Sequence, residues 1–267
     1  MYTECPHTGG ALTPILAGRA DKNQEGVIYV RSAHSVDYGA DYFLSEYRNQ
    51  YGKTYLEDEA NLRAMARHRL QHLSRFCRGG HMFEIGAACG FFLDEARAAG
   101  FSVSGLEISP FAAAHARSLG LDVREEAFPG PEPGPPRDSQ RALFDAVCAF
   151  YVIEHLENQK EAFSQVSAML KPGGAFMFAL PSSFGPTLRY NPERWIQTHP
   201  PDHFADYSPS SLKRLLPHYG LRLVHTRPAS YHPARARGIL KVPLLFRAYA
   251  RAFSFGDTME GIAVKAV

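Results

Sequence analysis

The sequence predicts an α/β protein whose mostly parallel sheet is covered by helices on both faces. Three observations predict it. Between residues 81 and 181, short apolar runs alternate with helical patterns. The runs are apolar throughout and not at every second residue, as strands buried on both faces require. One of them, His81-Met82-Phe83-Glu84-Ile85, runs into a turn holding Gly86 and Gly90 and then into a helix starting at Phe91. Glycine lets the backbone bend sharply and approach a ligand with no Cβ in the way. The free N–H groups of the following helix point at whatever lies over the turn. Glu84 closes this strand and Glu107 closes the next, Phe101–Glu107. A turn for a polar tail, and a carboxylate able to accept from both hydroxyls of a ribose, outline a nucleoside-cofactor site.

Length and composition set the bounds. At ~150 residues per domain, 267 residues make one or two domains. A net charge of +2 gives no argument for a nucleic-acid partner. No stretch reaches the ~18 apolar residues of a membrane span. The start, Met1-Tyr2-Thr3-Glu4-Cys5-Pro6, lacks the basic and apolar regions of a secretory leader. Cys5, Cys77, Cys89 and Cys148 are scattered and read as reduced thiols, so a cytoplasmic protein is expected.

Residues 1 to about 40 are polar and rich in turn formers, with one short strand expected at Val27-Ile28-Tyr29-Val30. Cys5-Pro6-His7 looks like half a zinc knuckle. A second Cys/His pair is needed to complete four ligands and none follows nearby, so no metal site is expected. Tyr38, Tyr42, Phe43, Tyr47, Tyr51 and Tyr55 then recur among Asp41, Glu46, Arg48 and Lys53. They read either as packing of an N-terminal helical layer or as a lid over the turn, with Tyr51, Lys53 or Tyr55 touching ligand. Leu62, Met65, Ala66, Arg69, Leu70 and Leu73 follow at steps of three and four within a helix from Leu56 to Phe76. Gly79-Gly80 ends it.

The alternating region comes next. The helix from Phe91 to Ala99 leads to strand 102–107. Ser109 and Pro110 then start a helix to Leu119, as an N-cap and a first-turn proline do. A short strand at 121–124 precedes Glu126 and Ala127. Five prolines in residues 129–139 exclude regular structure there. Phe144–Phe150 is a buried strand, a helix follows near Gln159–Leu170, and Ala175–Leu180 is another strand. Residues 181–207 read as a long loop with Tyr190, Trp195, His199, Asp202, His203 and Asp206. A helix from Ser208 to Tyr219, a strand at 221–226, a basic insertion at 228–256 and a last strand at 261–266 complete the chain.

These blocks together resemble class I S-adenosylmethionine-dependent methyltransferases, in the small-molecule branch that includes ubiquinone-type O-methyltransferases. The matching residues are Glu84-Ile85-Gly86-Ala87-Ala88-Cys89-Gly90, Leu106-Glu107-Ile108-Ser109, Phe144-Asp145 through Glu154-His155-Leu156, and Leu170-Lys171-Pro172-Gly173-Gly174. Pro200-Pro201-Asp202-His203 resembles a recurring loop of that branch. The family usually has glycine where Ala88 stands. The resemblance implies a Rossmann-like seven-stranded methyltransferase sheet, its last strand antiparallel. It divides the chain into an N-terminal extension and helical or loop cap over 1–78 and a core over 79–267. It implies S-adenosylmethionine as cofactor, held by Glu84, Gly86, Ala87, Ala88, Gly90, Phe91, Phe92, Glu107, Ile108, Glu126, Ala127, Ala149, Phe150 and Tyr151. The partner is a small-molecule methyl acceptor, with Tyr51, Tyr55, Tyr190 and Trp195 as candidate substrate contacts.

Methyl transfer leaves a neutral thioether, so no acid need protonate it. The protein must align a nucleophile and exclude water. A hydroxyl nucleophile also needs a base, for which histidine is suited. His203, His199 and His155 are the candidates, in that order. O-methylation is favoured over N- or C-methylation. The insertion's Arg235, Arg237, Lys241, Arg247 and Arg251 lie among apolar residues. They read as a solvated face, a membrane or lipid contact, or a surface for an oligomer or acidic acceptor. The protein is expected to be a monomer or homodimer. The competing classes are a nicotinamide-dependent oxidoreductase and a non-catalytic binding protein. The first predicts a Gly-x-Gly-x-x-Gly turn, but Ala88 and Phe91 stand at its second and third glycines.

Overall fold

The computed structural model describes residues 2–36, 39, 42–130 and 143–267. Tyr38 and Asp41 of the tyrosine-rich stretch lie outside the described residues, as does most of the proline-rich stretch 129–139. In chain order the strands are β1 (Thr13–Ile15), β2 (Ala20–Lys22), β3 (Ile28–Val30), β4 (Gly80–Ile85), β5 (Phe101–Glu107), β6 (Asp122–Glu125), β7 (Phe144–Phe150), β8 (Leu170–Pro181), β9 (Ala205–Asp206), β10 (Leu221–Pro228) and β11 (Thr258–Lys265). The α-helices are α1 (Tyr47–Tyr51), α2 (Glu59–Leu73), α3 (Phe91–Ala98), α4 (Pro110–Ser118), α5 (Gln159–Met169), α6 (Pro186–Tyr190), α7 (Pro192–Gln197), α8 (Pro209–Leu215) and α9 (Pro243–Phe253).

Seven strands form one sheet in the order β10-β11-β8-β7-β4-β5-β6. The last strand, β11, enters between β10 and β8 and runs antiparallel to β10. By compactness the chain divides into two units that do not follow chain order. One comprises residues 36–149 and 165–177 with Val267; the other comprises 1–35, 150–164 and 178–266.

The first of these units carries the parallel register. β4 pairs with β5 from Gly80↔Phe101 to Ile85↔Leu106, and with β7 from Met82↔Ala146 to Ile85↔Ala149. Strand order therefore reverses between β7 and β4, and sheets of this kind bind ligands beyond the carboxyl ends of the strands at such a point. Ala87, Leu93, Ala113, Ala116, Leu121 and Val123 bury a shared cluster that seats α3 and α4 against the strands. At the opposite end of β4, Asp145 accepts from the His81 N–H and from Lys171 Nζ, both at 2.8 Å.

The second unit holds a small sheet in the order β1-β2-β3-β9. Residues 13–30 hold three antiparallel strands of three residues each, of which only β3 was expected, at Val27–Val30. Strands that short leave little periodicity to read. The 181–207 loop also contains α6, α7 and β9, and β9 pairs with β3 through Ile28↔Asp206 and Tyr29↔Ala205. Proline at the first position of α6 and α7 starts each one. Near the N-terminus, Cys5 Sγ accepts from Asn23 Nδ2 at 3.2 Å, and His7 Nδ1 lies 2.8 Å from the Tyr219 hydroxyl. In α9, Phe246 and Ala250 are buried with Phe255 and Ala236.

Candidate active site

The glycine turn is built by its left-handed residues. Gly86 (φ 71°), Ala88 (φ 46°) and Gly90 (φ 86°) all take positive φ. A Cβ on Gly90 would lie 2.7 Å from Leu121 Cδ1 and 2.9 Å from Ala116 Cβ, so only glycine fits there. Gly90 caps α3 without any side-chain bond, so the first-turn N–H groups of α3 are left to face the turn. His115 Nδ1 sits 2.9 Å from the Cys89 carbonyl oxygen, bracing the same turn.

Glu107 is held by this turn. Its Oε2 accepts from Ala88 N–H and its Oε1 from Ser109 N–H, each at 2.8 Å. Both oxygens are fixed in place, and each keeps further lone pairs for the hydroxyls of a ribose. Burial raises the pKa of Glu107, against the pull of those backbone N–H groups. Ile108, next in the chain, is 55% exposed, an apolar surface beside that carboxylate. Glu126 N–H donates to the Glu107 carbonyl at 3.2 Å, which places Glu126 and Ala127 at the same sheet end, both exposed.

Glu84 is 3% exposed, and its Oε2 has no partner. Burial pushes its pKa well above the usual carboxylate range, Arg69 opposes the shift and Glu107 adds to it. A buried carboxylate oxygen without a donor, beside a left-handed turn, fits the ammonium group of an amino-acid tail. These residues therefore fit the nucleoside and the methionyl ends of S-adenosylmethionine. Arg69 is a partner that the sequence reading missed. The signal was an arginine inside the apolar row of α2, which demands a buried opposite charge.

Phe91 and Phe92 are buried, so their side chains serve packing and any ligand contact falls to their backbone. Tyr55 stacks on Phe91 with centroids 5.9 Å apart, and Phe43 packs edge-on against Tyr55 at 5.4 Å. Besides burial, the charges of Cys89 and Glu84 raise the Tyr55 pKa, which places its phenol beside the turn. Tyr51 is 54% exposed and packs on Tyr47. Lys53 pairs with the buried Asp58 at 2.5 Å, and Asp58 also accepts from the Tyr47 hydroxyl.

In the other unit, the chain leaves β7 through Phe150 and Tyr151. Tyr151 is a non-glycine residue at φ 58° and is 38% exposed. A single 3-10 turn follows, Ile153–His155. Phe204 N–H donates to the Glu154 carbonyl at 2.8 Å and pins the 199–206 segment to this turn. The three candidate histidines meet there. The His155 ring lies 4.6 Å from His203, and His203 lies 5.4 Å from His199.

Each ring has a distinct environment. His155 Nδ1 is 3.0 Å from an Asp202 carboxylate oxygen. Burial lowers the His155 pKa, but Asp202 and Glu154 outweigh it and the net shift is upward. His199 has Pro200 O at 2.9 Å from Nδ1 and Asp206 Oδ2 at 2.8 Å from Nε2. Burial is again outweighed, here mainly by Asp206, and the pKa rises. His203 Nδ1 is sealed from solvent with no partner. Burial and the charge of His155 push the His203 pKa down to about 4, so its ring is neutral at pH 7. Trp195 packs 4.7 Å from His199 and against the Ala20, Ile28 and Val30 cluster. Tyr190 packs instead in the Phe246 and Phe255 cluster, with Arg237 donating to its carbonyl at 3.0 Å.

A glycine turn, a ribose-type carboxylate and a mostly parallel, reversed sheet of seven strands together define an S-adenosylmethionine-dependent methyltransferase fold. The chain belongs to the methyltransferase-domain family, whose profile matches residues 55–226. It is 28% identical over 161 residues to a probable S-adenosylmethionine-dependent methyltransferase of Mycolicibacterium smegmatis, a match covering 58% of this chain and 57% of that protein. It is 24% identical to a ubiquinone biosynthesis O-methyltransferase of Bordetella avium, over 61% of this chain and 71% of that one. A solved structure of an S-adenosylmethionine-dependent methyltransferase from Archaeoglobus fulgidus superposes with a TM-score of 0.59 at 16% identity, covering 86% of this chain and all of that one. A magnesium protoporphyrin IX methyltransferase from Synechocystis, solved with S-adenosylhomocysteine bound, superposes at 0.55 with 14% identity over 85% and 97% of the two chains.

Proposed function

We propose that the protein methylates a hydroxyl group of a small molecule. When bound, S-adenosylmethionine supplies a methyl group on a sulfonium, an electrophile that needs only an aligned nucleophile. Glu107 and the Gly86–Gly90 turn orient the cofactor, and the orphaned oxygen of Glu84 receives its ammonium group. The observation that carries the hydroxyl reading is the cluster of His155, His199 and His203 with Asp202 and Asp206, gathered at the 3-10 turn Ile153–His155. A neutral nitrogen nucleophile, with its lone pair free, has less need of such a set. His203 takes the proton, because its buried ring is neutral and its Nδ1 carries no competing bond. His199, engaged at both nitrogens, positions His203. The similarity to a ubiquinone biosynthesis O-methyltransferase supports this reading.

Methyl transfer from labelled cofactor to a panel of hydroxyl-bearing aromatic acceptors tests it. His203→Asn is expected to lower kcat about 100-fold while S-adenosylhomocysteine still binds. Turnover unchanged in that variant, or products methylated only at nitrogen or carbon, contradicts the reading. We also propose that segment 235–251 meets a lipid surface, on the strength of its exposed apolar and cationic side chains.

A further inference from the structure

Glu154 needs an explanation that hydroxyl methylation alone does not supply. Its carboxylate is 1% exposed, and neither oxygen has a hydrogen-bond partner. Such a group is ordinarily neutralised, paired or ligated. Its neighbours are histidines. A carboxylate oxygen of Glu154 and ring nitrogens of His155 and His203 lie within 4.8 Å of one another. His203, of this same set, has a buried Nδ1 without a partner. Two residues with unsatisfied buried groups thus stand in one cluster.

We propose that Glu154, His155 and His203 bind one divalent transition-metal ion, with Zn²⁺ the reference case. One carboxylate and two imidazoles form a donor set that zinc and its first-row neighbours accept and that Mg²⁺ or Ca²⁺, which prefer all-oxygen sites, do not. The surroundings match those of a ligated histidine. The His155 ring is oriented by Asp202 at 3.0 Å, the outer carboxylate that fixes a ring nitrogen for a metal. The ion would neutralise the otherwise isolated carboxylate. His199 and Asp206 also lie near His203. Their mutual bond at 2.8 Å and the Pro200 contact already occupy both nitrogens of His199, which leaves that pair as a support.

Three protein ligands leave a position open for a substrate oxygen, as in catalytic zinc sites. The proposal rests on the hydroxyl reading in one respect: it changes how the proton is lost. An acceptor hydroxyl bound to the ion ionises near neutrality. The O–H bond breaks, the oxygen keeps the electron pair, and the proton passes to water. In the metal-loaded protein His203 then serves as ligand, and its role as base belongs to the metal-free protein.

Untagged protein, stripped with chelator and dialysed, is titrated with Zn²⁺ and separately with Mg²⁺ by calorimetry. Its Co²⁺ form is read by visible absorption. One equivalent of Zn²⁺ is expected, with no comparable binding of Mg²⁺ and with Co²⁺ d–d bands. His203→Ala and Glu154→Gln should each weaken Zn²⁺ binding about 100-fold, and Asp202→Asn about tenfold, while S-adenosylhomocysteine binding reports that each variant is folded. Should Glu154→Gln not fold, His203→Ala and the Co²⁺ spectrum carry the test. A wild-type protein that takes up no Zn²⁺ and gives no Co²⁺ bands overturns the proposal, as does unchanged Zn²⁺ affinity in His203→Ala. Metal uptake without any hydroxyl methylation would sink the acceptor reading alone, and methylation by metal-free protein would sink the catalytic use of the ion alone.

Discussion

Ala88 shows how one residue sits between cofactor geometry and stability. It holds φ 46° while its N–H donates to Glu107 at 2.8 Å. A left-handed conformation costs a non-glycine residue roughly 1–2 kcal/mol, and glycine removes that strain. Ala88→Gly is therefore expected to raise the midpoint of thermal unfolding by about 2–4 °C, the shift that ~1 kcal/mol gives in a protein of this size. S-adenosylhomocysteine binding should be retained, and a lowered midpoint would show that the turn is not strained there. At this scale the sequence was legible where a residue's role is local. Glu84 and Glu107 end strands beside a glycine turn, and both are found at the turn. It was not legible where the role depends on a distant partner. Nothing near Glu154 in the sequence says that its carboxylate is buried without a donor, because His203, which it meets, lies more than forty residues away.

Elements divide the same way. β4, its turn and α3 were readable because an apolar run, paired glycines and a helical start fall within twenty residues. β1 and β2 were not, since a strand of three residues has no usable period; β3 was expected at Val27–Val30, but its pairing with β9, far along the chain, was not. Helix α9 carries a prediction of its own. Phe246 and Ala250 bury one side, while Leu244 is 75% and Phe253 is 59% exposed, and just before the helix Ile239 is 70% exposed. Residues 229–256 hold Arg235, Arg237, Lys241, Arg247 and Arg251 and no Asp or Glu. Arg235 is paired with Asp257 at 2.8 Å; exposed apolar side chains among the other cations suit an anionic bilayer. Sedimentation with vesicles of phosphatidylglycerol should bring the protein down, whereas phosphatidylcholine vesicles should leave it in solution. Leu244→Ser combined with Arg251→Glu should abolish the effect. Equal behaviour on both vesicle types, or in the doubly substituted protein, contradicts a lipid role for this helix.

For the whole molecule, the seven-strand order and the reversal between β7 and β4 place Glu84, Glu107 and the glycine turn at one end of the parallel strands. That arrangement followed from the sequence because alternating apolar runs and helices leave few topologies open. The histidine cluster did not follow, since it joins His155 to His199 and His203 of the distant 181–207 segment. Among the described residues, no helix is long and apolar enough to cross a membrane. The central claim is that the turn and Glu107 bind S-adenosylmethionine. Calorimetric titration of the protein with S-adenosylhomocysteine, beside its Glu107→Ala variant and beside NAD, tests it most directly. Binding at one site, weakened about 100-fold or more by the loss of both ribose bonds, with no heat from NAD, is the predicted result. Tight binding of NAD with none of S-adenosylhomocysteine would contradict it.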